Sequence, residues 1–369
     1  MRERQATEGS LLQATLRPNP ELSALEEDLR RGRRTSTLQL TQPIETGGKR
    51  EARTGAAALR RDQADWSLQQ VRADVRAAVT VLYVELLAAR QRLQLAGDSI
   101  ALAENASRAA RQRVLAGKVS PVEETRARVA EAAVRVEALQ AEGALRSARQ
   151  RLAALWGDRT GDVEAIGRLE LPPAGMAEAL PYDRLAAAPA MAFARLEMER
   201  RQALVRVETA ASVPNVSVTL GAKRLQEAGV TQAVVGFSVA LPLFDRNQGN
   251  LAEALRREDK ARDERDATEL RLFGELAQAQ ERLRSTRAEA LTLQRDALPG
   301  AREAFDAASR GFALGKFSFL EALDAQRTWF QVQAQAQRAL ADSLRAAAEI
   351  ERLLGIADAA SRLSPVLMP

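Results

Sequence analysis

The sequence predicts a mainly α-helical protein with a small β part. Long antiparallel coiled-coil helices occur in two tandem repeats, and two β-hairpins supply four strands. The first observation behind this prediction is a stretch near residues 115–124 that recurs 198 residues later, so that Gly117 corresponds to Gly315. The second is composition, since 28% of residues are charged and only 4% aromatic, which is typical of long helices. A period this long exceeds a solenoid unit, so each copy must be a whole supersecondary assembly.

The first repeat, residues 1–180, is predicted to begin with a truncated helix and a β-hairpin at about residues 21–43. Apolar and polar residues alternate in its second strand, as expected of a strand with two different faces. Helical periodicity then runs through about residues 49–156 and is broken at Gly117, which predicts a helical hairpin with a glycine tip. Pro121, after the capping residue Ser120, marks the start of its second helix.

The second repeat, residues 181–369, follows the same plan. It is predicted to contain a helix at about residues 185–211 and a β-hairpin at about residues 215–242. A helical hairpin follows at about residues 247–354, with its tip at Gly315.

Prolines mark expected breaks. Pro43 and Pro242 should close the second strand of each β-hairpin, because proline cannot donate a hydrogen bond to a strand ladder. Pro299, followed by Gly300, should kink or interrupt the first helix of the second helical hairpin. Residues 245–250 resemble a calcium loop only in composition, and helix capping by Asp245 or Asn247 is the better interpretation.

The chain contains no histidine and no cysteine. It therefore lacks an imidazole base, a thiol nucleophile, disulfides and the usual zinc ligands. We predict that the protein is not an enzyme and holds no cofactor or metal. The net charge of +5 is spread along helices and not gathered in one block, so no nucleic-acid partner is expected.

No run of 18 or more apolar residues is present, so no helix is predicted to span a bilayer. The two-faced strands suit either the wall of a membrane barrel or a half-buried sheet of a soluble protein, and the pattern alone favours the soluble sheet. Four strands cannot enclose a lumen, whereas three chains would supply twelve. Glu321 and Asp324 would then matter, because they share a helix face and three copies would form a ring of carboxylates.

With these features the chain resembles the TolC-type outer-membrane efflux proteins over nearly its whole length. Three segments resemble in particular the branch that serves heavy-metal efflux of the cobalt, zinc and cadmium type. They are residues 19–22 (NPEL), 42–50 (QPIETGGKR) and 242–250 (PLFDRNQGN).

The resemblance implies a homotrimer in the outer membrane of a Gram-negative bacterium. Its twelve-stranded barrel would continue into a twelve-helix tunnel through the periplasm. Such a protein is a passive exit duct, here for divalent heavy-metal cations, in a tripartite system. A periplasmic adaptor, or membrane fusion protein, connects it to an inner-membrane pump of the resistance-nodulation-division class.

The resemblance also assigns roles to residues. The adaptor-docking tips are Leu115, Gly117, Lys118, Ser120, Leu314, Gly315, Lys316 and Ser318. The candidate gate is Glu321 and Asp324. The strand residues expected to face lipid are Leu38, Leu40, Val235, Phe237 and Val239.

Residues 2–22 correspond in character to residues 197–218, so the first repeat is expected to begin partway along its first helix. On this interpretation the signal peptide and the lipidated cysteine of many relatives are absent from the chain. Two alternative functions stay open, a soluble helical coiled-coil scaffold and a multidrug or solvent duct of the same family.

Overall fold

The computed structural model describes residues 1–28, 30, 33–173, 175 and 183–356. Helices dominate it, as predicted, and four strands accompany them. In chain order the elements are α1 (Arg2–Thr15), β1 (Glu21–Glu27), β2 (Thr35–Ile44), α2 (Lys49–Leu115), α3 (Pro121–Ala154), α4 (Asp183–Ala186), α5 (Pro189–Ala211), β3 (Val216–Leu225), β4 (Val230–Val239), α6 (Gln248–Thr292), a π-helical turn (Leu293–Ala297), α7 (Leu298–Ala313) and α8 (Phe319–Leu354).

Two prolines act differently from the prediction. The helix expected at residues 185–211 is divided, because α4 ends at Ala186 and α5 begins at Pro189. Proline has no N–H to donate and its fixed φ suits the first helical turn, so Pro189 starts a helix where a continuous one was expected. Pro43 does not close β2, which runs on to Ile44.

The expected interruption near Pro299 takes the form of a π-helical turn at Leu293–Ala297, directly before α7. Pro299 cannot donate to a carbonyl one turn earlier, and its ring crowds that carbonyl. Widening the preceding turn relieves the clash while the chain stays helical.

The four strands form one antiparallel sheet in the order β1-β2-β3-β4. Two hairpins were predicted, and the pairing of β2 with β3 joins them into a single sheet. β1 pairs with β2 only as far as Thr41, so Pro43 contacts a strand on one side alone, where it lies opposite Ser217. A proline is tolerated there because its missing N–H faces no neighbouring strand.

The contacts divide the chain into two compact units. One comprises Met1–Gln70 with Ala186–Arg271, and the other Val71–Leu185 with Leu272–Pro369. Each unit therefore takes segments from both predicted repeats. The predicted boundary between residues 180 and 181 lies outside the described residues.

The second unit has a core of leucines and alanines, in which Leu86 and Leu87 of α2 pack near Leu152 of α3. Alanine is the commonest buried apolar residue, which lets long helices approach closely. An irregular segment, residues 163–171, lies on this core and is called the strap below.

Side chains of α2 hold the strap in place. The Tyr83 hydroxyl donates to the Ile166 carbonyl at 2.5 Å, and Arg90 donates to the carbonyls of Ala165 and, at 2.6 Å, Gly167. Among the described residues, no helix is both long and apolar enough to cross a membrane.

Candidate functional site

One face of the sheet is apolar and exposed. Residues directly opposite each other on neighbouring strands point to the same side, so the row Leu22–Leu40–Leu220–Val235 crosses all four strands on one face. We call this the apolar face. Its large apolar members are Leu22, Leu38, Leu40, Ile44, Val216, Val218, Leu220, Val235, Phe237 and Val239.

The five strand residues predicted to face lipid all lie on the apolar face, and all are exposed in the single chain. Phe237 is 75% exposed and Val235 64%. The prediction omitted half of the face, including Leu22 and Leu220. Alternation in β3 was a sufficient signal for Leu220, whereas Leu22 stands in a short acidic strand whose pattern is weak.

The opposite face of the sheet is mainly polar, although Leu25, Val230 and Val234 also lie on it. Thr41 and Thr219 share a hydrogen bond of 2.9 Å, and the Lys223 ammonium lies 3.0 Å from the Glu27 carboxylate. The sheet therefore separates an apolar side from a hydrogen-bonding side.

β1 and β4 are the outer strands of this sheet, and within the described residues each pairs on one side only. Their other edges carry free backbone N–H and C=O groups. Such edges are ready to pair with another strand.

The first tip, residues 115–120, ends α2 with a left-handed glycine. Gly117 has φ 67°. The Lys118 N–H donates to the Arg113 carbonyl and the Gly117 N–H to the Val114 carbonyl, both at 2.9 Å. This pair of bonds is a Schellman motif, which satisfies carbonyls left open at a helix end.

The second tip, residues 314–318, repeats the motif with Gly315 at φ 73°. The Lys316 N–H donates to the Gly311 carbonyl at 2.8 Å, and the Gly315 N–H to the Phe312 carbonyl at 3.0 Å. The predicted glycine tips thus have the same backbone structure in both hairpins.

Arg113, two residues before the first tip, contacts Phe312, two residues before the second. Its guanidinium donates to the Phe312 carbonyl at 2.5 Å and lies 4.0 Å from the centre of the Phe312 ring. Nearby, Ala110 and Ala127 are buried against Phe312 and Leu323. All eight residues predicted to dock an adaptor are exposed at these tips.

The candidate gate residues occupy different environments. Glu321 forms a capping box, in which its carboxylate accepts from the Ser318 N–H at 2.7 Å and its own N–H donates to the Ser318 hydroxyl oxygen at 3.3 Å. The bond from the Ser318 backbone N–H, followed by the one that the Ser318 hydroxyl donates to the same carboxylate at 2.9 Å, lowers the pKa of Glu321 below its ordinary value. Asp324 is exposed, and among the described residues no side-chain partner holds it.

The helix of the first tip is capped differently. Ser120 accepts from the Val122 N–H at 3.3 Å, without a reciprocal carboxylate. Glu123 and Arg126 occupy the positions that correspond to Glu321 and Asp324. The second tip therefore has an acidic residue at both of these positions, whereas the first tip has adjacent acidic residues, Glu123 and Glu124, and a basic residue at the second position.

Across the described ranges, no cluster of three or more Asp, Glu, His or Cys side chains could hold a metal ion. The exposed features are instead a face, two edges and two tips. Such features suit contacts with other molecules.

The sequence has clear relatives. The chain is 46% identical over 355 residues to the cobalt-zinc-cadmium resistance protein CzcC of Cupriavidus metallidurans, which covers 96% of this chain and 85% of the relative. It is also 30% identical over 261 residues to the nickel-cobalt-cadmium resistance protein NccC of Alcaligenes xylosoxydans xylosoxydans, covering 68% of this chain and 59% of that protein.

The fold also matches solved structures. The outer membrane protein VceC of Vibrio cholerae superposes with a TM-score of 0.80 at 19% identity, over 96% of this chain and 91% of VceC. At that identity the match concerns the fold alone, which is of the TolC type. The outer membrane efflux protein family matches residues 11–158 and 180–356. The chain is therefore a member of the outer membrane efflux protein family.

Proposed function

We propose that the chain is the outer-membrane channel subunit of a tripartite efflux system of the resistance-nodulation-division class. Two tandem structural repeats, residues 1–180 and 181–369, supply the four strands and the helical hairpins. Three copies form a homotrimer with a twelve-stranded barrel in the outer membrane of a Gram-negative bacterium. The helical hairpins extend into the periplasm as the wall of a tunnel.

The observation that carries this proposal is a sheet with an exposed apolar face and two unpaired edges. In water such a face would be costly and such edges would promote aggregation. Contact with lipid removes the apolar face from water, and pairing of β4 with β1 of the next copy covers the free edges. Twelve strands suffice to enclose a lumen, which four do not.

Divalent heavy-metal cations are the proposed cargo, because the relatives CzcC and NccC carry cobalt, zinc, nickel and cadmium resistance in their names. A chain without histidine or cysteine lacks the imidazole and thiolate groups that bind such ions most firmly. Selection of the cargo would then belong to the pump, and this subunit would act as a passive duct.

The two tips are the proposed docking surface for the periplasmic adaptor. Their exposed leucines, Leu115 and Leu314, present apolar area next to Lys118 and Lys316. Since Arg113 before the first tip contacts Phe312 before the second within one chain, an adaptor would meet both tips together.

Glu321 and Asp324 remain the proposed gate, but the two residues are expected to contribute differently to it. The Glu321 carboxylate is engaged in capping α8, which supports a structural part for it. Asp324 is exposed, and three copies would place three carboxylates in a ring.

Function and membrane insertion can be tested together in a strain without its own channel. The chain, fused to a cleavable export signal, is produced with the adaptor and pump of a cobalt-zinc-cadmium system. We expect tolerance to these cations to return. Phe237→Arg should abolish it, because arginine on a lipid-facing strand costs about 2–4 kcal/mol near the bilayer centre.

Ser238→Arg is the matched control, because Ser238 is the next residue of β4 and points to the polar face. It should keep both the tolerance and the trimer in outer-membrane extracts. Equal behaviour of the two variants, or a wild-type chain that stays monomeric in detergent-free buffer, would refute the proposal.

A further inference from the structure

The turn between β4 and α6 contains exposed side chains that no contact within the described residues explains. Leu241, Leu243 and Phe244 follow β4, and Phe244 is 91% exposed. Asp245 is also exposed, and among the described residues its carboxylate accepts only from the Asn247 N–H, at 2.9 Å. A charged group beside exposed apolar residues indicates a protein partner more than a lipid one, because lipid would leave the carboxylate unpaired.

Strand order identifies what could lie beside this turn. On the proposed function, from which this inference starts, β4 of one copy pairs antiparallel with β1 of the next. Residues that follow β4 must then lie beside residues that precede β1 of the neighbouring copy, which are residues 16–20.

The chain contains one complete example of such a junction, between β2 and β3. There the turn after β2 contacts the segment before β3. Thr46 donates to the Pro214 carbonyl, and the Lys49 ammonium donates to the Asn215 side chain at 2.6 Å. Gly47 lies so close to Val213 that a Cβ atom on it would be 2.7 Å from the Val213 Cβ.

The internal repeat maps this junction onto the open one. Pro43 corresponds to Pro242 at an offset of 199 residues, and Pro214 corresponds to Pro18 at an offset of 196. At these offsets Thr46 becomes Asp245, and the pair Gly47 and Val213 becomes Arg246 and Arg17.

The charges of the side chains at this junction indicate which of them could form an ion pair. Arg17 is exposed and has no ionic partner among the described residues. The Arg246 guanidinium is turned back onto the Pro242 carbonyl, to which it donates at 3.3 Å. In this mapping Asp245, the residue next to Arg246, supplies the opposite charge closest to Arg17 of the neighbouring copy.

We propose that the turn after β4 docks on the α1–β1 junction of a second copy of this chain, with an ion pair between Asp245 and Arg17 of the neighbouring copy. This pair takes the place of the neutral contacts that close the β2–β3 junction. Phe244 adds apolar contact, whereas its counterpart in the first repeat, Glu45, is bonded to Arg53 of its own chain at 2.7 Å.

Cysteine cross-linking tests this contact, because the sequence contains no cysteine. Arg17→Cys with Asp245→Cys should give disulfide-linked dimers and trimers of the outer-membrane protein on non-reducing gels. Arg17→Cys with Glu227→Cys is the matched control, since Glu227 follows β3 at the other end of the sheet.

Charge exchange provides a second measurement. Asp245→Arg alone should lower the fraction of trimer that survives heating in detergent several-fold, and adding Arg17→Asp should restore it. If native mass spectrometry shows trimers but the test pair links no better than the control pair, the inference is overturned and the proposed function stands. If only monomers are found in the membrane, both fail.

Discussion

Gly117 and Gly315 are the residues at which sequence and structure agree most closely. A glycine after a long helix predicts a left-handed end, and both residues have that conformation within a Schellman motif. The agreement is local in origin, since only glycine adopts positive φ without strain. No knowledge of distant contacts was needed.

Replacing Gly315 with valine should weaken docking of the adaptor. A β-branched residue at φ 73° is strained by about 1–2 kcal/mol, so the second tip would change its backbone. Binding of the purified adaptor, measured by calorimetry or pull-down, should fall. Gly315→Asn is the control, because asparagine tolerates this conformation, and the prediction fails if valine binds as well as asparagine.

Glu321 has a capping role that its spacing from Asp324 does not reveal. Its spacing from Asp324 predicted a shared helix face, but the Ser-x-x-Glu pattern from Ser318 to Glu321 is also the signature of a capping box. The capping-box pattern is present in the sequence, although the prediction for Glu321 did not include it. The bond to the Ser318 backbone is therefore a finding of the structure.

Asp324→Asn should raise the conductance of the closed channel in planar bilayers, because it removes one carboxylate per chain from the proposed ring. Glu321→Gln should raise it less, since a glutamine can still accept the Ser318 N–H bond. Equal conductance of Asp324→Asn and the parent channel would exclude Asp324 from the gate.

Acid should loosen the start of α8 in the parent protein. The pKa of Glu321 is lowered by folding, so its contribution to stability is present above the pKa of the unfolded chain and is lost as the pH falls through the folded pKa. Hydrogen exchange at the start of α8, corrected for the intrinsic pH dependence, should reveal this loss. Glu321→Gln should remove the pH dependence, and persistence of the dependence in that variant would contradict the assignment.

At the scale of elements, helices were predicted more accurately than the sheet. Periodicity over many turns fixed α2 and α8, because a long pattern averages out local exceptions. The pairing of β2 with β3 could not be predicted, since it joins segments distant in the chain and no local signal encodes it. The predicted helix at 185–211 missed the break before Pro189, and the predicted end of β2 at Pro43 was one residue early. Both errors arise because the effect of a proline depends on which neighbouring groups its ring contacts.

Pro299→Ala should stabilise the region around the π-helical turn by about 1–2 kcal/mol, less than the full cost of a proline inside a helix because the turn already relieves the clash. Thermal unfolding followed by circular dichroism measures this. The first repeat has Ala101 at the corresponding position, in the unbroken helix α2. Ala101→Pro should therefore lose about 3 kcal/mol. A lower melting temperature for Pro299→Ala would contradict this account of the turn.

For the whole molecule, the duplication was predicted from sequence, whereas the division into compact units was not. The units take parts of both predicted repeats because single helices such as α2 contribute to both units. A repeat in the sequence shows which segments resemble each other, whereas contacts show which segments pack together. The two need not coincide.

The sequence offers zinc neither histidine nor cysteine, so we expect zinc to leave the stability of the purified trimer unchanged. A site filled at one hundred times its dissociation constant would add about 2.7 kcal/mol and raise the melting temperature by several degrees. We expect a shift below about 1 °C in scanning calorimetry, with and without a chelator. A larger shift that the chelator reverses would mean that the duct retains its cargo.

The strap is bonded to α2 well before the end of that helix, and beyond this point α2 packs on α3 through Ala96 and Ala110. Tyr83 and Arg90 bond it to α2, and Arg287 of α6 donates to the Pro172 carbonyl just beyond it, shortly before the π-helical turn. From Arg90 to the end of α2 at Leu115 the helix is about 38 Å long. Pivoting by about 10° at the strap would displace the end of that part of the helix by about 6–7 Å, so a small rotation there would be magnified where the helices turn back.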